Sequence, residues 1–268
     1  MGYIIFFMFN LAILIPAYNE EKRIGKTLDS YSEYFENLRK NGKINYDLIV
    51  IINNTFDDTE KIVKQKQRKN RLINYINLEK GGKGFAITAG FKKVLNESEN
   101  DLIGFVDADM STRPEAFYDL ILKLGNYDGV IASRYLKGSL VKPKPPLKRI
   151  IVSRIFNKLI RVLLFLPYKD TQCGAKVFRR NLIEKILPKI TFSKWAYDVD
   201  LLYNAKKKNF KIIEVPTIWS DKEYSKINFM KSGPWMVLGI IRLRLINSPL
   251  RFLIGVYDKT LFKVHNIK

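Results

Sequence analysis

Apolar and polar positions alternate along the first 135 residues with two distinct periods. Short runs rich in Ile, Leu and Val fall at 11–16, 47–52, 71–78, 101–107 and 128–132. Continuous apolarity over so few residues predicts strands buried on both faces. Between them, 20–41, 57–70, 82–96 and 114–125 read at helical spacing; Gly42 stops the first and Pro114 opens the last. Regular strand–helix alternation predicts an α/β architecture with a mostly parallel sheet.

The pattern changes after residue 135. From Leu147 to Leu166 apolar and basic residues recur at helical period. Ile151, Val152, Ile155, Phe156, Leu159, Val162, Leu163 and Leu166 form one stripe, with Arg149, Ser153 and Asn157 on the other side and Arg154, Lys158 and Arg161 on a basic flank. This predicts an interfacial helix, with packing of the stripe on the core as the alternative. A helix begins near Asp198 and ends near Lys208, and a strand succeeds it at 210–215. Apolar stretches at 234–246 and 249–257 are interrupted by Arg242, Arg244 and Arg251, so they predict in-plane helices rather than spans. The apolar stretch from Met1 to Phe9 lacks a basic leader and is read as extending the first strand.

Asp107 and Asp109 stand at the end of the run 101–107. A parallel strand delivers the residues next in the chain to the crevice at its carboxyl end, and two hard oxygen donors there suit Mg²⁺ or Mn²⁺ holding a diphosphate. A solvated turn is the alternative. Lys80-Gly-Gly-Lys83-Gly84 opens a helix with unpaired backbone N–H groups and cations beside the same crevice, which suits a nucleotide diphosphate. Asn53-Asn-Thr-Phe-Asp57-Asp58 leaves a strand and caps a helix, an Asx-rich turn.

The order of these blocks is specific. Leu11-Ala-Ile-Leu-Ile-Pro16-Ala-Tyr18-Asn-Glu20, Asp107-Ala-Asp109, Asp128-Gly-Val-Ile-Ala-Ser133-Arg134, Asp170-Thr-Gln172-Cys-Gly-Ala-Lys176 and Trp195-Ala-Tyr-Asp198-Val-Asp200 together resemble the family-2 glycosyltransferases, and within them those that use polyprenyl phosphates, over about residues 10 to 228. The resemblance implies the Rossmann-like GT-A fold that binds nucleotide sugars. It implies a donor site from Pro16, Tyr18, Glu20, Asn53, Lys83, Asp107, Gln172 and Lys176, and a metal, Mg²⁺ or Mn²⁺, on Asp107 and Asp109. Arg134, Arg149 and Ser153 would hold the acceptor phosphate, while Asp109, Arg134 and Asp198 would carry the chemistry. Asp198 either deprotonates an acceptor or orients the sugar.

Two departures bear on the substrate. Asn53 stands where the family usually has an aspartate that accepts the imide N–H of the base, and Ser111 stands where mannose-transferring members often have a glutamine ligand. The Asp-Thr-Gln-Cys-Gly block resembles glucose-transferring members. The resemblance therefore implies an inverting transfer of a hexose, glucose from UDP-glucose, to dolichyl or another polyprenyl phosphate. GDP-mannose as donor or a different acceptor is the in-class alternative, and a nucleotidyltransferase the alternative of another class.

Composition changes the picture in two ways. A net charge of +21 in 268 residues calls for an anionic partner. With no helix-turn-helix pattern, zinc site or aromatic single-strand motif, nucleic acid is not expected, and an anionic membrane surface is. The single cysteine, Cys173, excludes an internal disulfide and reads as a buried thiol in a reducing compartment. The expected plan is a catalytic domain over 1–228 and a basic membrane-interface segment over 229–268, attached peripherally at the cytoplasmic face of a membrane.

Overall fold

The computed structural model describes residues 9–191, 196–220 and 229–262. The expected strand extension at 1–8, Trp195 and the boundary at 228 lie outside them. In chain order the first half runs β1 (Phe9–Ala17), α1 (Ile24–Lys40), β2 (Ile44–Asn53), α2 (Thr59–Lys69), β3 (Ile73–Leu78), α3 (Lys83–Glu97), β4 (Leu102–Phe105), α4 (Pro114–Leu122) and β5 (Gly129–Ser133). The second half runs β6 (Leu140–Lys142), α5 (Leu147–Leu164), β7 (Lys176–Arg179), α6 (Arg180–Ile186), α7 (Tyr197–Lys207), β8 (Ile212–Pro216), β9 (Ile218–Ser220), α8 (Phe229–Ile246) and α9 (Ile254–Tyr257).

Seven strands form one sheet in the order β3-β2-β1-β4-β7-β5-β8, and β6 pairs with β9 in a small second sheet. All pairings in the large sheet are parallel except those of β7, which runs antiparallel between β4 and β5. The pattern of apolar runs misses β7 because the strand is four residues long and begins with a lysine. Its insertion leaves every apolar run of the first half where the sequence puts it.

Both faces of the sheet are covered, which is why β1 and β2 read as continuous apolar runs. Leu14, Ile51 and Phe105 face α3, α5 and α8 through Phe91, Ile160 and Ile240. Ile13, Ile15, Val50 and Val130 face α1 and α4, where Tyr31, Phe35 and Phe117 pack as a ring cluster with centroids 6.1 to 6.3 Å apart. Each fully buried ring of this kind contributes about 1.5–3 kcal/mol. β1 has β2 on one side and β4 on the other, so the chain order reverses at β1 and a crevice opens outside the carboxyl ends of β1 and β4.

α5 divides its apolar stripe between core and surface, and its polar residues turn inward. Ser153 and Asn157 face inward with Phe156, Ile160 and Leu164, while Ile151, Ile155 and Val162 of the apolar stripe are 49 %, 64 % and 61 % exposed. Two tertiary contacts satisfy the polar groups that this packing buries. The Tyr135 hydroxyl lies 2.6 Å from Ser153 Oγ, and Asn157 Oδ1 accepts from both Thr171 N and Thr171 Oγ1 at 3.0 Å. α8 lies against α5 and buries Met236, Ile240 and Leu243 in the core. Beyond it Leu250, Phe252, Leu253 and Val256 are exposed. Among the described residues no helix is long and apolar enough to cross a membrane.

Candidate active site

β4 ends at Phe105, and the chain carries the two carboxylates from there into the crevice. Met110 takes a left-handed backbone conformation, with φ 60°, which turns the chain sharply after Asp109. Asp109 Oδ1 accepts the Ser111 amide at 2.9 Å, and Oδ2 stands 3.9 Å from the Arg23 guanidinium. Arg23 is held in turn by both Glu20 oxygens at 2.6 Å, so Glu20 acts here through Arg23. Ser111 does not cap α4, whose N-cap is Arg113.

Asp107 pairs with Lys83. Gly174 lies directly against it, since a Cβ there would come 1.9 Å from Asp107 Oδ2; only a glycine leaves room for that carboxylate. Lys83 is the first residue of α3, after Gly82 at φ 129°, a conformation open to glycine. Desolvation works against its charge, but Asp107, Asp198 and Asp109 outweigh it and hold the ammonium above the ordinary lysine range.

Asp198 lies in the first turn of α7 and is anchored from below. Lys176 has no exposed surface; its Nζ sits 2.6 Å from Asp198 Oδ1, donates to the Cys173 carbonyl at 2.6 Å and lies over the Phe105 ring at 5.2 Å. Lys176, expected at the donor, is here enclosed and holds Asp198 from the interior side. Across the crevice the charges alternate, Lys176, Asp198, Lys83, Asp107, and beyond them Asp109, Arg23, Glu20. Asp200, on the inner side of the same turn, is buried and accepts from Thr191 and Asn204; burial pushes its carboxyl up to about 7.

Asn53 is pinned at both ends. Its Nδ2 donates to the Ala17 carbonyl at 3.0 Å and its Oδ1 accepts the Gly82 amide at 3.0 Å, which ties the ends of β1 and β2 to the turn before α3. One lone pair of the amide oxygen is thereby used and a second remains. Pro16 lies within β1, Tyr18 just beyond it is 42 % exposed, and Gln172 is half-buried on the loop before β7.

Arg134 leaves β5 and is locked. Asp170 accepts from its backbone amide, Nε and Nη2 at 3.0, 2.7 and 2.9 Å. Burial alone would raise the Asp170 carboxyl, but Arg134 outweighs it and holds it below the ordinary range. Asp170 is therefore the anchor of Arg134. The guanidinium is stacked between Trp219 at 5.2 Å and Tyr135 at 5.6 Å, and Arg154 lies over the same Tyr135 ring at 5.4 Å. Ser153 is buried, with the Tyr135 hydroxyl 2.6 Å from its Oγ. Arg149 is half-buried in the first turn of α5. Cys173 is fully buried, and burial pushes its thiol up to about 12.

Sequence reasoning missed Arg23, Tyr135 and Trp219. Arg23 had a signal, its i+3 spacing from Glu20 at the start of α1. Tyr135 and Trp219 come together only through folding.

The residues present fit a divalent cation. Among the described residues no cluster of three or more His, Cys, Asp or Glu exists, so Asp107 and Asp109 would supply at most two ligands. That suits an ion completed by water and diphosphate oxygens, as Mg²⁺ sites often are.

A mostly parallel sheet whose switch-point crevice gathers a carboxylate pair and a glycine-rich helix start is the architecture of the GT-A transferases. The chain belongs to Glycosyl transferase family 2, which it matches over residues 12–187. It is 30 % identical over 258 residues to a dolichyl-phosphate beta-glucosyltransferase of Dictyostelium discoideum, spanning 92 % of this chain and 76 % of that protein. The Homo sapiens enzyme of the same name is 28 % identical over 90 % of this chain and 77 % of its own. Among solved structures, glucosyl-3-phosphoglycerate synthase of Mycobacterium tuberculosis, in complex with Mn²⁺, UDP and phosphoglyceric acid, shares the fold with a TM-score of 0.64 at 17 % identity, over 88 % of this chain and 78 % of that one. The chain is a glycosyltransferase.

Proposed function

We propose that this glycosyltransferase moves glucose from UDP-glucose to the phosphate of dolichol or a related polyprenol, at a membrane surface and with inversion at the anomeric carbon. The observation that carries the lipid acceptor is α5, where Leu147, Ile151 and Ile155 turn outward next to Arg154, Lys158 and Arg161. An apolar face with a basic flank suits a bilayer headgroup region. The dolichyl-phosphate beta-glucosyltransferases of Dictyostelium and Homo sapiens supply the donor sugar and the acceptor class.

In this reading the diphosphate lies at the start of α3, where backbone N–H groups and Lys83 face it. Mg²⁺ or Mn²⁺ on Asp107 and Asp109 would offset charge on the departing diphosphate. The acceptor phosphate is already mostly ionised at neutral pH, so no base is required to activate it. One of its oxygens attacks C1 of the sugar from the side opposite the diphosphate, the C1–O bond forms as the C1–diphosphate bond breaks, and UDP carries away the electron pair. Arg134 orients the attacking phosphate. Asp170 uses Nε and Nη2, which leaves Nη1 of that guanidinium for the acceptor. Asp198, fixed by Lys176, orients the sugar. Arg149 supports the phosphate from the first turn of α5.

Incubating the protein with a panel of nucleotide sugars and a short polyprenyl phosphate, with mass analysis of the lipid products, tests this. A glucosyl phospholipid from UDP-glucose alone is expected. A different hexose would correct the donor, and no glycosylated lipid with any donor would sink the acceptor.

A further inference from the structure

On the outer flank of α5, away from the carboxylates of the crevice, a cavity of about 680 Å³ opens between the helix and the segment 165–169. Its rim carries Arg154, Lys158, Arg161 and Lys169, and its apolar wall is Phe165 with Leu166. The volume lies in the range of small-ligand sites. Among the described residues none of these four side chains makes a hydrogen bond or an ion pair. The carboxylates nearby are turned inward: Glu214 accepts the Lys169 and Asp170 amides at 2.7 to 2.9 Å, and Asp170 holds Arg134. Tyr135 lines this cavity, and its ring carries two guanidinium groups, Arg134 at 5.6 Å and Arg154 at 5.4 Å. Two more cations close in from below, with Arg244 over the Phe165 ring at 5.4 Å and Lys206 donating to the Phe165 carbonyl.

Uncompensated cations gathered around one concavity repel one another unless an anion joins them. We infer that this cavity is a second anion site, distinct from the donor crevice, which takes the phosphate of an anionic membrane lipid. Arginines supply forked donors for phosphate oxygens, and Phe165 and Leu166 give the glycerol and first methylenes an apolar wall. The inference rests on the membrane reading only for the source of the phosphate. Once filled, the cavity seats α5 on anionic bilayers in a fixed orientation.

The test compares the wild-type chain with two triple variants that lose the same charge: Arg154→Gln/Lys158→Gln/Arg161→Gln at the cavity and Lys61→Gln/Lys64→Gln/Arg68→Gln on α2. Partition is measured onto vesicles of phosphatidylcholine alone and of phosphatidylcholine with phosphatidylglycerol, and pyrophosphate binding by calorimetry. At roughly 1 kcal/mol per basic residue, the cavity variant should lose roughly a hundredfold in affinity for the anionic vesicles while the α2 variant stays within a few-fold of wild type. Equal losses in both variants would overturn the site and leave only net charge. One pyrophosphate site fewer in the cavity variant than in wild type, beyond the crevice site both share, with no preference for anionic vesicles, would overturn the lipid source. If the triple change at the cavity abolishes cooperative unfolding, the exposed single changes Lys158→Gln and Arg161→Gln carry the same comparison at about fivefold each. Vesicle partition needs no sugar transfer, so failure of this site and failure of the acceptor reading register separately.

Discussion

The strand-end crevice and the outer flank of α5 carry charge in opposite ways. In the crevice each charge faces its opposite: Lys176 with Asp198, Lys83 with Asp107, Arg23 with Glu20 and Asp109. On the flank, Arg154, Lys158, Arg161 and Lys169 gather with no acid among them. The difference teaches where the reaction's charge is already balanced and where the molecule waits for something from outside. A crevice of alternating charge is preorganised, and a substrate enters it by replacing a partner. A cationic cavity is completed only by its ligand.

The sharpest way to break this comparison is at the carboxylates. Asp109→Asn removes the charge, keeps the shape, and retains an oxygen for the Ser111 amide. Activity should fall by at least ~10²-fold, the scale of removing one preorganised electrostatic group. The thermal midpoint should stay close to wild type, because Asp109 is partly exposed and its Arg23 contact is long. Chelation by EDTA should have the same effect and be reversed by Mg²⁺ or Mn²⁺. Full activity in EDTA would remove the metal from the site.

A second change separates paired from unpaired charge by stability rather than rate. Lys176→Met strips a fully buried cation from Asp198 and leaves the Cys173 carbonyl without its donor. Removing one member of a buried pair costs about 3–5 kcal/mol, and the low end applies because Asp198 keeps some contact with solvent. Lys158→Met on the flank, where there is no partner to orphan, should change stability by less than about 0.5 kcal/mol. Urea unfolding of the two variants measures both. Equal effects would mean that the two regions do not differ as their contacts indicate.

The same division governs which features the amino-acid sequence makes legible. β1, β2, β4 and β5 are continuous apolar runs because helices cover both faces of the sheet, and the strand-end placement of Asp107 and Asp109 stems from that burial. β7 escapes notice because a lysine opens it, and that lysine is tolerated only because Asp198, 22 residues later, folds over it. α5 is legible as a helix but not as to which side faces in. Period alone sets Ser153 and Asn157 opposite the apolar stripe without saying which side faces in; Tyr135 and Thr171, distant in sequence, hold them inside. Asn53 and Arg134 are correctly placed at strand ends, yet their hydrogen bonds to Gly82 and Asp170 arise from tertiary contact and change what each can touch.

The finest comparison lies within one turn of α7. Asp198 points to the crevice and is matched by Lys176, whereas Asp200 points into the core and accepts only neutral donors, Thr191 N and Oγ1 and Asn204 Nδ2. Burial raises its carboxyl from an ordinary 3.8 to about 7, against which those hydrogen bonds and Arg242 work only in part. A raised carboxyl means that the folded chain holds the proton more tightly than the unfolded one. Its contribution to stability is therefore fully present below about pH 4 and is lost as pH rises through about 7. Across that window the wild-type unfolding free energy should fall, relative to Asp200→Asn, with a slope of at most about 1.4 kcal/mol per pH unit, one proton's worth. Above it the difference should level off. Paired urea titrations of the two proteins between those limits read the slope directly. Parallel pH profiles would show that Asp200 is ionised throughout, and that α7 buries a carboxylate which its three neutral donors suffice to hold.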